Sequence, residues 1–258
     1  MPVSAEGAVA RLVEARTNCR SLEPLSASGE DFTESIAWTI QDELAAEMAR
    51  RGKAPIGWKL AATGPTGQAV LGVTQPAYGL LLADVFPSGG EISRRTFVEW
   101  GVEAEIAFRI GKKLSGPNVT AERSLDAVDS IMPALELPDL IFSGSPKITD
   151  FIASSMGANG IVLGQALSLA EYGDLAHEQV TLEHNGQIVG TNMAAEVMGH
   201  PLNALAWLAN QLAARGRALM PGEIVMSGGI SKLVRGNVGD AIAAKFSRLG
   251  SVSMKVVP

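Results

Sequence analysis

The chain has 258 residues, about 1.7 times a typical domain of roughly 150, which allows one large domain or two small ones. Its 21 basic and 27 acidic residues leave a net charge of −6, which offers no general attraction to phosphate backbones and excludes nucleic acid as an expected partner. With 47% hydrophobic residues, 19% charged residues, one cysteine and no apolar run near bilayer-spanning length, the composition excludes a disordered chain, a membrane-spanning helix and a disulfide scaffold.

In chain order, residues 4–18 read as a helix ending near Asn18, and Arg20 to Glu30 as a loop. Glu6 precedes any apolar stretch, so no secretory leader is read here and a cytoplasmic location is expected. A stronger helix is expected over 31–51, with Asp31 placed to cap it and Ile36, Ile40, Leu44 and Met48 forming one apolar stripe. From Ala54 onward glycine becomes frequent and short apolar runs alternate with turn signals. Strands are expected at 55–61, 78–82, 97–110, 130–137, 159–164, 178–183, 187–191, 223–227, 241–246 and 251–257, with short helices at 65–71 and 121–130. Asn185-Gly186 between two strand patterns signals a type I′ hairpin turn, because both residues tolerate positive φ. A helix over 200–215 has Pro201 near its start and Gly216 just past its end. Many strands with few helices between them point to an α+β chain built as a β-rich mixed roll or sandwich rather than a parallel βαβ sheet. An N-terminal helical segment, 1–54, is expected to pack on a catalytic unit, 55–258.

The stretch Glu99 to Phe108 carries Glu103 and Glu105 in a strand pattern. Residues two apart share a strand face, so these carboxylates project side by side while Val102, Ala104 and Ile106 face away. Like charges so close repel, and one is forced to take a proton unless a hard divalent cation such as Mg²⁺ joins them. Glu136, alone in an apolar strand, needs a partner if buried and is the third anionic candidate. The same residues also admit an ordinary reading, with Glu103 and Glu105 on a solvated face and Glu136 paired with a Lys or Arg. Lys59 follows Pro55-Ile56-Gly57-Trp58, an apolar setting that is costly for an ammonium without a partner. Ser227-Gly228-Gly229 is either a loop whose backbone N–H groups approach a substrate carboxylate or a tight turn between strands. His200 is expected to fix its loop by hydrogen bonding, Cys19 to be a small packed or inert residue, and Trp207 and Leu208 to be core or interface. No three-His metal site is expected from three scattered histidines, and no nucleotide-binding glycine motif is present.

Four blocks together resemble the 2-keto-4-pentenoate hydratase and 4-oxalocrotonate decarboxylase branch of the fumarylacetoacetate hydrolase superfamily. They are Gly57-Trp58-Lys59 with Leu71-Gly72-Val73-Thr74-Gln75-Pro76; Glu103-Ala104-Glu105 with Pro133-Ala134-Leu135-Glu136; Gly199-His200-Pro201-Leu202-Asn203-Ala204; and Met226-Ser227-Gly228-Gly229-Ile230. The resemblance runs from about residue 30 to the end of the chain. It implies the β-rich fold of that superfamily, Mg²⁺ or Mn²⁺ held by Glu103, Glu105 and Glu136, and Lys59 near the substrate. It also implies Tyr78, Ser227, Gly228 and Gly229 as substrate-binding residues, with Lys59 and Glu105 as the catalytic ones.

The chain departs from that pattern in three places. Ala77 stands where hydratases of the branch carry an aspartate, and the tyrosine after it resembles the decarboxylases. Ala158 stands where many relatives have an aspartate, and Gly101 where many have an arginine. The resulting expectation is a Mg²⁺-dependent decarboxylase of a vinylogous 2-keto acid. The alternatives are hydration of a 2-hydroxy-dienoate, hydrolysis of an acylpyruvate, and a silent keto-acid-binding subunit. The low charge content fits a homo-oligomer, and the resemblance implies a possible complex with a related hydratase.

Overall fold

A computed structural model gives the fold and describes residues 4–29, 32–168 and 172–258. Helix α1 (Ala5–Asn18) starts where the Ser4 hydroxyl accepts the Gly7 N–H, and α2 (Glu34–Arg50) where the Thr33 hydroxyl accepts the Ile36 N–H. Asp31, the expected cap, lies outside the described residues, and α2 begins at Glu34, three residues after the start expected over 31–51. Further α-helices among the described residues are α3 (Pro65–Leu71), α4 (Ala121–Ala127), α5 (Ile148–Ala153) and α6 (Pro201–Ala214).

Twelve strands form two sheets among the described residues. The larger runs β2 (Ala77–Leu80), β1 (Gly57–Ala61), β10 (Ile224–Met226), β5 (Glu103–Ile110), β6 (Val128–Leu137), β7 (Gly160–Leu163) and β3 (Asp84–Pro87). The smaller runs β4 (Gly90–Ser93), β12 (Gly250–Val257), β11 (Ala241–Phe246), β8 (Gln179–His184) and β9 (Gln187–Met193). Pairing is mixed: β1 lies parallel to β10, while β5 lies antiparallel to both β10 and β6. The β8–β9 turn is Asn185-Gly186 with φ of 52° and 75°, the positive pair a type I′ turn requires.

Three expectations shift. The strand expected over 97–110 begins only at Glu103, because the Asp139 carboxylate takes the Val98 and Glu99 N–H groups and draws that lead-in away from the ladder. The helix expected over 121–130 stops at Ala127, where Val128 turns extended and opens β6. Strands β3 and β4 and helix α5 carry no periodic signal; β3 is four largely exposed residues and α5 is six residues long.

Alternation divides the larger sheet into two unlike faces. Ala104, Ile106, Phe108 and Ile110 of β5 are buried in one core with Val180, Leu182, Ile242, Ala244, Val252 and Met254 of the smaller sheet. The other face carries a separate apolar cluster that includes Ala107, Met132, Ala134, Ile224 and Met226. The N-terminal helices join the first core through Ala8, Leu12, Ile40 and Leu44, all without exposed surface. From α2, Gln41 Oε1 accepts the Leu80 N–H (3.2 Å) and Gln41 Nε2 donates to the Ile152 carbonyl (2.6 Å). That closes the free edge of β2, where an unpaired donor would otherwise be left.

Candidate active site

The site lies on the second face of the larger sheet. In the β5–β6 ladder Glu103 pairs with Glu136 and Glu105 with Ala134, so all three carboxylates rise from neighbouring positions on one surface. One oxygen from each lies within 4.8 Å of the others. Glu105 and Glu136 are buried and Glu103 half-buried, which sets aside the reading of a solvated strand face. Burial, with Glu136 adding to it and Lys59 opposing, pushes the Glu103 carboxyl up to about 7. Burial also pushes Glu105 well above the usual carboxylate range, helped by the charges of Glu136 and Glu103.

Lys59 comes from β1, and its strand neighbours explain its position. It pairs with Met226 on one side and Gly79 on the other, placing it on the same face as the carboxylates. Lys59 is only 3% exposed, and its ammonium forms an ion pair with Glu136 and donates to the Met156 carbonyl at 3.0 Å. The ordinary reading of Glu136 as the partner of a lysine is therefore met, and the same pair sits beside the other two glutamates.

Fully ionised, three carboxylates facing one ammonium carry two uncompensated negative charges, the deficit that a divalent cation matches. The Gly228 N–H holds Glu105 Oε2 at 2.8 Å, while Glu105 Oε1 is buried without a hydrogen-bond partner among the described residues. A buried carboxylate oxygen left open, in a set of hard oxygen donors, fits Mg²⁺ or Mn²⁺. Glutamates 103, 105 and 136 could hold it.

The structure brings some of the expected substrate-binding residues to this place and leaves others out. Gly229 lies against Glu103: a Cβ there would stand 3.0 Å from Glu103 Oε1. Gly228, with φ of 96°, lies under Thr63, whose hydroxyl would be 2.4 Å from an added Cβ. Ser227 belongs to the structural reading, since its Oγ accepts the Ile106 N–H and donates to the Gly228 carbonyl. Tyr78 is not brought to the site. It pairs with Leu60, one residue out of phase with Lys59, and so faces the opposite side of the sheet. There its ring packs tilted against Trp38 (4.6 Å) and edge-on to Trp207 (5.9 Å), and burial pushes its hydroxyl up to about 12.

The departures also find places. Ala77 and Gly79 alternate onto the Lys59 face, so position 77 borders the site and offers no acid or base. At Gly101 an added Cβ would meet the Leu233 side chain at 2.4 Å; leucine fills the space a larger residue would need. His200 caps α6, with Nδ1 accepting the Leu202 N–H and Nε2 3.2 Å from Asp174. Cys19 is a free, half-buried thiol.

Thr63, Met156 and Gly79 are parts of the site that motif reading did not single out. Gly79 has a structural signature, because a Cβ there would stand 2.7 Å from the Ser155 carbonyl carbon.

Residues 74–257 match the family model described as the C-terminal domain of fumarylacetoacetate (FAA) hydrolase. The chain belongs to the fumarylacetoacetate hydrolase family. Within that family it is 34% identical over 230 residues to a 4-oxalocrotonate decarboxylase of Pseudomonas putida, covering 88% of this chain and 87% of the relative. It is 32% identical over 249 residues to a 2-hydroxyhexa-2,4-dienoate hydratase of Comamonas testosteroni, covering 95% and 94%. The fold superposes on the 4-oxalocrotonate decarboxylase from Pseudomonas putida G7, complexed with magnesium and adipate, with a TM-score of 0.92 and 28% identity over 99% of both chains. The β-rich architecture with its helical N-terminal segment is thus that of this family.

Proposed function

We propose that the chain is a metal-dependent lyase that decarboxylates a vinylogous 2-keto acid of the 4-oxalocrotonate kind, with Glu103, Glu105 and Glu136 holding Mg²⁺ or Mn²⁺. Support for the metal comes from the uncompensated carboxylate set and from the magnesium named with the decarboxylase relative. When bound, such a cation supplies Lewis-acid polarisation of a keto oxygen and neutralises the charge that gathers there.

The chain's own residues supply the rest. Glu105 is oriented by the Gly228 N–H, and Glu136 by the Lys59 ammonium. As the bond to the distal carboxylate breaks, its electron pair moves along the conjugated chain to the 2-keto oxygen and CO₂ departs. Lys59 then has two tasks within reach of its three N–H groups: a hydrogen bond to the developing charge and delivery of a proton to the chain. The Met156 carbonyl limits where that ammonium can swing. Met226 and Ala107, both without exposed surface, belong to the apolar cluster on this face, which keeps bulk water from the reacting atoms.

The observation that carries the choice of reaction is Ala77. It stands two residues from Gly79 on the Lys59 face, where a carboxylate would be suited to activating water. Decarboxylation needs no such base. Hydration of a 2-hydroxy-dienoate is the second reading, favoured by the 95% coverage of the hydratase relative. The deciding experiment follows CO₂ release from 4-oxalocrotonate and loss of diene absorbance from 2-hydroxypenta-2,4-dienoate, both with Mg²⁺. CO₂ release faster than hydration is expected. Efficient hydration with no CO₂ release from any 2-keto dicarboxylate overturns the decarboxylase reading.

A further inference from the structure

The turn that receives Lys59 has an unusual backbone. Ser155, Met156 and Gly157 all have left-handed φ, at 58°, 54° and 70°, and two of them carry a Cβ. Such residues persist only where their surroundings over-determine them. Here Gly79 of β2 lies against Ser155 and the Asp139 N–H holds the Gly157 carbonyl at 2.8 Å, and the N-terminal segment supplies the rest. Arg16 of α1 spans the turn, donating from one guanidinium nitrogen to the Ser154 carbonyl and from the other to the Ala158 carbonyl, both at 2.8 Å. The approach to the turn is tied as well, since Gln41 holds the Ile152 carbonyl and Ser26 holds both oxygens of the buried Asp150 through its N–H and hydroxyl.

We infer that Arg16 is a positioning residue, clamping the two ends of the Ser154–Ala158 turn so that the Met156 carbonyl fixes the Lys59 ammonium beside Glu136. A planar fork reaches two carbonyls on either side of a turn, which a lysine ammonium on a single stem does not reproduce. Without the clamp, the two non-glycine residues relax toward right-handed φ, the Met156 carbonyl turns away, and Lys59 loses one of its two anchors. The effect on turnover rests on the role proposed for Lys59; the placement of the ammonium does not.

The test reads that placement directly. The full chain with Mg²⁺ present is treated with an amine-acetylating ester, and the rate at each lysine is mapped by mass spectrometry. In Arg16→Met, acetylation of Lys59 should rise by about tenfold or more while exposed Lys112 and Lys245 keep their rates, as expected for a local opening. Arg16→Lys, which keeps the charge, should raise the Lys59 rate by a smaller factor and provides the answer if the methionine variant does not fold. Leu182→Ala in the smaller sheet serves as the control for general destabilisation. An unchanged Lys59 rate in Arg16→Lys, or an equal rise in Leu182→Ala at matched loss of Tm, overturns the inference. Where the chain is active, kcat should fall in Arg16→Lys with KM little changed, and this loss should vanish in a Lys59→Met background. An equal loss in both backgrounds overturns the inference as well. A chain inactive on both substrates defeats the proposed function alone, because the acetylation rates still decide the role of Arg16.

Discussion

The carboxylate trio combines strong burial with incomplete compensation, and the two together define what each residue is for. Glu105→Gln keeps the volume and the contact with the Gly228 N–H but removes one negative charge from the set. Its expected result is Mg²⁺ affinity reduced by about tenfold or more, as for a loss of roughly 1.4 kcal/mol, with the circular dichroism spectrum unchanged. Titration calorimetry checks it, and an unaltered affinity would remove Glu105 from the ligand set. Lys59→Met tests the other partner. With Mg²⁺ saturating, kcat should drop by at least about tenfold, near 1.4 kcal/mol of transition-state stabilisation. A purely structural lysine would lower Tm and leave the folded fraction fully active. Glu103, Glu105, Glu136 and Lys59 were all legible in the sequence because each is a charge in an apolar or alternating strand, an anomaly that asks for a partner. Tyr78, which the resemblance implies at the substrate, lies on the opposite face for a reason equally physical. A motif says which residues stand together, but only the β1–β2 register says that residue 78 points away from residue 59. Arg16 left a fainter signal: it follows buried Ala8 and Leu12 at four-residue spacing, a charge on an apolar stripe, yet its partners lie 138 and 142 residues away.

Among the secondary elements, close backbone approach explains one block that a motif alone could only flag. Gly57 begins β1 with φ of 150°, and a Cβ there would stand 1.9 Å from the Ile224 carbonyl oxygen of β10. Gly57→Ala must separate these two parallel strands just where one of them carries Lys59. A destabilisation of about 3 kcal/mol or more is expected from urea unfolding, within the range known for large backbone and packing lesions. A loss below about 1 kcal/mol, the usual scale of a mild substitution, would mean the strand pair yields easily. The smaller sheet has its own fixed point in Asp240. Its carboxylate accepts the Asn237 N–H, the Asn185 side-chain amide and His184 Nε2, each at 2.7 Å, tying the Asn185-Gly186 turn to β11. These bonds, that to the Asn237 N–H foremost, hold its carboxyl down at about 2. A depressed carboxyl contributes stability above the unfolded value of about 3.9, and that contribution is lost as pH falls through the folded value. Asp240→Asn should therefore unfold at lower urea than the native chain at pH 6, with the gap narrowing between about pH 4 and pH 2. A gap that stays constant over that range would show that the charge of Asp240 is not what matters. The hairpin itself was legible from Asn-Gly, whereas β3 and β4 were not, because four residues are too few to show alternation and β3 is also largely exposed.

For the molecule as a whole, the change in composition at Ala54 marks off a helical segment, 1–54, expected to pack on the catalytic unit, and a segment so marked could fold as a unit of its own. The packing points the other way. Trp38 of α2 stacks on Tyr78 of β2 and lies under Arg215, which follows α6, so one aromatic cluster draws on the N-terminal segment and on the sheet. Leu12, Ile40 and Leu44 belong to the same apolar core as Phe108 and Val252, with no boundary between them. Arg16, Ser26 and Gln41 reach from this segment to the backbone or carboxylate of 150–158, and through Met156 to the site. Removing the segment would expose that core and leave buried carbonyls without donors, at a cost of several kcal/mol, comparable with the roughly 5–15 kcal/mol that holds a whole domain folded. We propose that the chain unfolds as one cooperative unit, the segment 1–54 included. Single-tryptophan chains test this, one keeping Trp38 in α2 and one keeping Trp100, which is buried in the lead-in to β5. Their urea transitions followed by fluorescence should share a midpoint and a slope, as two-state unfolding requires. A Trp38 transition at clearly lower urea, with the Trp100 transition intact, would make the N-terminal helices a separate domain that only leans on the catalytic sheet.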